Sequence, residues 1–79
     1  VSKAEKLLEK AQRSPQSLKF AEFEALLIAC DWRLRRQTGS HRIWQSPKGY
    51  GLPVQPEKSM AKTYQVRQFL QKLKEEADV

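Results

Sequence analysis

Seventy-nine residues hold one domain, since single domains cluster at roughly 100–150 residues and two separate cores do not fit; residues 1–79 form a single unit with no room for a deep cofactor cavity. At 39% hydrophobic and 30% charged residues the composition suits a folded, water-soluble chain, and one cysteine and one histidine supply neither an internal disulfide nor a zinc-ligand set, so no metal and no cofactor are expected. The net charge of +6, from 15 Lys and Arg against 9 Asp and Glu, points to an anionic partner, while an apolar run limited to 25–30 falls far short of the roughly 20 residues of a membrane span and the start lacks a signal-like segment, so a cytoplasmic location is expected.

Ala4, Leu7, Leu8 and Ala11 recur at i, i+3, i+4 and i+7 with lysines and glutamates between them. The spacing predicts an amphipathic helix over 3–13, stopped at Ser14-Pro15 because proline forces the preceding residue into extended conformations. Phe23, Leu26, Leu27 and Cys30 repeat the pattern and predict a second helix over 20–30, with Glu22 and Glu24 favoured by the helix dipole near its N-terminus. Leu18 and Phe20 precede it either as a staple on its first turn or as a short extended lead-in. Asp31 stands where this helix must stop and tolerates the left-handed conformation such a stop requires. Cys30 completes the apolar face, which makes it a core thiol and not a nucleophile.

From Trp32 the period changes to two. Trp32, Leu34 and Arg36 point one way and Arg33, Arg35 and Gln37 the other, which predicts a first strand with Trp32 in the core. Thr38-Gly39-Ser40 is a turn, and His41 to Gln45 alternates as a second strand paired antiparallel to the first. One of Ile43 and Trp44 must face the helices; a Trp44 on the open face either stacks on a base or is plain exposed surface. Ser46-Pro47-Lys48-Gly49 makes a second turn, and Tyr50 to Gln55 a third strand that Pro53 confines to an edge. A loop over 56–59 leads to a last helix over 62–76 whose Val66, Phe69, Leu70, Leu73 and Ala77 face the core, with Glu75, Glu76, Asp78 and Val79 fraying as solvated ends. The expected fold is α+β in the order α-α-β-β-β-α, with helices packed on one face of a small three-stranded antiparallel sheet.

Charge is unevenly spread. Residues 32–56 carry Arg33, Arg35, Arg36, Arg42 and Lys48 and no carboxylate, an electrostatic footprint suited to phosphates. His41 lies among these cations just after Gly39-Ser40. Histidine exchanges protons near neutral pH, and an RNA 2′-hydroxyl needs a base before it can attack its own phosphodiester. Arginines alongside could stabilise charge on the phosphoryl oxygens through bidentate contacts. A lone histidine beside a turn is more often a surface or hydrogen-bonding residue than a catalyst, so spacing alone leaves both readings open.

Phe23-Glu24-Ala25-Leu26-Leu27, the run Trp32 to Trp44 with Gly39-Ser40-His41 heading the second strand, Leu52-Pro53-Val54-Gln55, and Ala61 to Leu70 together resemble the HicA-type toxins of bacterial toxin–antitoxin pairs. The resemblance covers about 18–74; the helix at 3–13 is extra. It implies a double-stranded-RNA-binding-like fold, metal-independent cleavage of mRNA with His41 as the catalytic residue, and a HicB-type antitoxin bound over the active face. It gives Gly39 a backbone close to the phosphate and Ser40 a hydroxyl that orients His41 or the substrate. The chain departs from the family pattern at Arg42, where many members carry a second histidine, at Gln55 and Pro56, where some carry another, and at Asp31, which stands in place of a glycine. A general acid would then be Lys62, Tyr64, Tyr50 or water. Two other readings remain, a non-catalytic RNA-binding module and a basic face that docks an acidic protein.

Overall fold

The computed structural model describes residues 2–77. Helix α1 spans Lys3–Arg13, opened by Ser2, whose side chain accepts from the Glu5 N–H at 3.1 Å, a standard way to satisfy an orphan donor of the first turn. A 3₁₀ turn over Pro15–Ser17 leads to helix α2, Phe20–Ala29. The α2 helix ends in a Schellman arrangement: Asp31 takes φ 65°, its N–H bonds the Ile28 carbonyl, and the Trp32 N–H reaches back to the Leu27 carbonyl at 3.0 Å.

Strands β1 (Arg33–Thr38), β2 (His41–Gln45) and β3 (Gly51–Val54) form an antiparallel meander in the order β1-β2-β3. Pro53 lies on edge strand β3, where a missing N–H costs no central ladder bond. Helix α3 covers Thr63–Ala77. The helices lie on one face of the sheet over a core that includes Phe23, Leu26, Leu27, Trp32, Trp44, Leu52, Val54, Val66 and Phe69. Phe69 is the hub of its aromatic part, meeting Trp32 at 5.3 Å and Phe23 at 5.8 Å edge to face. No helix among the described residues is long and apolar enough to cross a membrane.

Four expectations change. The segment expected as a loop over 56–59 is a small hairpin of β4 (Pro56–Glu57) and β5 (Met60–Ala61), turned by Lys58 and Ser59, both at positive φ without a glycine or asparagine. Its strands pair Pro56 with Ala61 and Glu57 with Met60, and it is anchored from outside the segment: Met60 bridges Lys19, and the Ala61 N–H bonds the Leu18 carbonyl at 3.0 Å. Leu18 is therefore the extended lead-in to α2, fully buried. Glu75 and Glu76 are helical, and Glu76 accepts from the buried Ser46 hydroxyl; Asp78 and Val79 lie outside the described residues. Ala77, expected on the core face of α3, is exposed, and Gln65 is buried instead.

The fourth change concerns β1. Its ladder with β2 pairs Leu34 with Trp44 and Arg36 with Ile43, so Arg35 is the extra residue of a β-bulge. Strict alternation sends Arg36 the same way as Trp32 and Leu34; the bulge instead turns Arg36 to the face away from the helices. Residues directly opposite in an antiparallel pair share a face, so Leu34, Trp44 and Leu52 lie on the helix side, and Arg36, Ile43 and Pro53 on the open side.

Candidate functional site

The open face is built by the bulge. Arg35 and Arg36 line a shallow recess of about 310 Å³ with Ile43, Gly49 and Gly51, and Arg33 shares a neighbouring one with Asp31, Gln45, Ser46, Pro47 and Gly49. All three arginines are exposed, and none pairs with a carboxylate among the described residues. His41 stands at the head of the central strand, opposite Thr38 across the two-residue turn Gly39-Ser40. Only the first turn residue has positive φ, 59° at Gly39, the pattern of a type II′ hairpin that asks for glycine there. A β-carbon at Gly39 would meet nothing within 4 Å: the glycine is required by conformation and leaves open space above the turn.

Ser40 and His41 are both exposed. The side chain of neither has a hydrogen-bond partner among the described residues, so of the two partners expected for the Ser40 hydroxyl, His41 or the substrate, it does not hydrogen-bond His41 here.

Arg42 is placed differently from its expected position on the open face. It pairs in register with Gln37 and Val54, on the helix side, where it is half-buried and its guanidinium is ion-paired with Glu24 of α2 and lies 5.3 Å from the Phe20 ring centroid. Trp44 likewise faces the helices, 4% exposed, which rules out base stacking; Ile43 is the member of the pair on the open face. Lys48 is exposed, but its ammonium donates to the Glu76 carbonyl at 3.1 Å.

The three candidate acids separate. Tyr50 packs edge to face on Trp32 at 6.3 Å with the Lys72 ammonium 4.4 Å over its ring, at the Gln45 end of β2 and so about 13 Å along the strand from His41. Lys62 and Tyr64 line a recess of about 470 Å³ with Glu57, Thr63 and Arg67. That recess lies toward the His41 end, because β3 runs past Val54, opposite Arg42, to Gln55, whose N–H is held by the Gln65 side chain at 3.1 Å.

Cys30 is half-buried at the end of α2. Burial first, and the Asp31 carboxylate second, push its thiol up and disfavour the thiolate. Glu24, the partner of Arg42, carries no signal in the sequence beyond being a carboxylate near a helix start, since the two are separated by 18 positions.

A comparison with protein-family models matches residues 20–74 to the HicA toxin of bacterial toxin–antitoxin pairs. No curated protein and no solved structure matches the chain.

Proposed function

Because the chain belongs to the HicA toxin family, we propose that it is an endoribonuclease that cleaves single-stranded mRNA without a metal in the cytoplasm, with His41 as its catalytic base and a HicB-type antitoxin as its inhibitor. The observation that carries this reading is the gathering of His41, Arg33, Arg35 and Arg36 on one open face with no carboxylate partner among the described residues. Such a face attracts phosphates at every position along a strand and offers one proton acceptor.

In this mechanism an imidazole nitrogen of His41 takes the proton of a ribose 2′-hydroxyl. The 2′-oxygen forms a bond to the adjacent phosphorus, and the bond from phosphorus to the 5′-oxygen breaks. The leaving oxygen takes a proton from water, or from Lys62 or Tyr64 across the end of the sheet. The products end in a 2′,3′-cyclic phosphate and a 5′-hydroxyl. Arg35 and Arg36 neutralise charge on the non-bridging oxygens, and the open space over Gly39 lets the backbone approach. RNA supplies its own nucleophile, so the chain needs only to position and deprotonate it.

The test is RNA cleavage by pure protein in EDTA, wild type against His41→Ala. Cleavage in EDTA that the substitution abolishes is the expected outcome; activity that survives the substitution, or that EDTA removes, rejects the mechanism. The exposure of His41 without a hydrogen-bond partner among the described residues favours one second reading, a non-catalytic RNA-binding module. It gives retarded but intact RNA in the same experiment.

A further inference from the structure

Strand β1 is an edge, paired only with β2, and every one of its six residues is exposed. Its two sides differ in chemistry. Toward the open face it carries Arg33, Arg35 and Arg36, all unpaired among the described residues. Toward the helix side it carries Leu34, which shares a face with buried Trp44 yet is 45% exposed.

We propose that β1 is a docking edge for an extended acidic segment of a partner protein, added to the sheet as a fourth strand. An edge strand presents unpaired backbone donors and acceptors, and strand addition satisfies them while alternate side chains of the incoming segment fall on opposite faces. Here one set meets three arginines and the other meets Leu34, so the fitting segment alternates acidic and apolar residues. A second copy of this chain is disfavoured, since pairing β1 with β1 would bring arginine against arginine. Single-stranded RNA would use the arginines but leave Leu34 uncovered. The surface stands on these observations alone; that its occupant neutralises a toxin rests on the proposed function, because a strand there would cover the arginines beside His41.

The test uses the whole chain and a short synthetic peptide alternating glutamate with valine, followed by NMR. The expected result is slowed hydrogen exchange of outward amides in residues 33–38, with weak binding that salt weakens further. Leu34→Glu, at an exposed position, should weaken the peptide about tenfold without changing the circular dichroism. A peptide with lysine in place of glutamate should not bind. Absence of protection in β1, equal binding of the lysine peptide, or an unchanged affinity for Leu34→Glu overturns the proposal. So does protection of the same amides by oligouridylate with none from the peptide, or self-association through β1. Peptide binding by a protein that cleaves no RNA rejects the ribonuclease reading alone, and cleavage without peptide binding rejects the docking edge alone.

Discussion

At Asp31 the backbone φ of 65° brings a β-carbon into the left-handed region, where an L-residue is strained and glycine is not. The two bonds that end α2 depend on that conformation, since the Asp31 and Trp32 N–H groups both turn back to α2 carbonyls. Asp31→Gly keeps both bonds and removes the strain, so it should stabilise the protein by about 0.5–1 kcal/mol, measured as a rise of a few degrees in the melting temperature; an unchanged or lower midpoint would show that the aspartate side chain compensates. The left-handed stop was legible in the sequence because it is local: it follows from where the apolar period breaks and which residue stands there. Arg42 and Trp44 were not legible in the same way. Their faces depend on which residue of β1 opposes which residue of β2, and one bulged residue, Arg35, resets that relation.

At the scale of elements, helix α2 shows what holds an almost wholly apolar segment in register. Its two charged residues both reach outside it, Glu24 to Arg42 of β2 and Glu22 to Lys10 of α1. Glu22 also accepts from the Lys19 N–H at 2.9 Å, the N3 half of a capping box. The backbone bond first, then the Lys10 ammonium, hold the Glu22 carboxyl below its ordinary value. A carboxylate with a lowered folded pKa adds stability above its unfolded value of about 4.3 and loses it as the pH falls through the folded value. Glu22→Gln keeps an oxygen for Lys19 but loses the charge, so it should cost about 0.5 kcal/mol at neutral pH. In urea titrations the gap from wild type should close in acid; a gap that persists there would assign the effect to packing. The helices and the meander were legible because each is written in its own period. The β4–β5 hairpin was not, because Lys58-Ser59 lacks the usual turn residues and the two-residue strands are anchored by Lys19 and Leu18, some forty positions away in the chain.

For the whole molecule the structure divides the basic middle third into cations with different tasks. Of the five basic residues in 32–56, Arg42 is tied to Glu24 beneath the sheet and Lys48 to the end of α3, which leaves Arg33, Arg35 and Arg36 facing solvent. Counterion release makes the separation measurable, because each single-strand phosphate that a variant no longer neutralises reduces the salt slope of binding by about 0.7. With His41→Ala as background, so that the RNA stays intact, Arg35→Ala and Arg36→Ala should each flatten the slope by about that amount and leave the melting temperature unchanged. Arg42→Ala should do the reverse. Its slope stays that of the parent, while stability falls by about 2 kcal/mol because Glu24 is left half-buried without its charged hydrogen-bond partner. Anisotropy of a labelled single-stranded RNA across a salt series, beside thermal melts of the same proteins, separates the two classes. A flattened slope for Arg42→Ala would mean that its guanidinium leaves Glu24 for the phosphate, and unchanged slopes for Arg35→Ala and Arg36→Ala would remove RNA from the open face altogether.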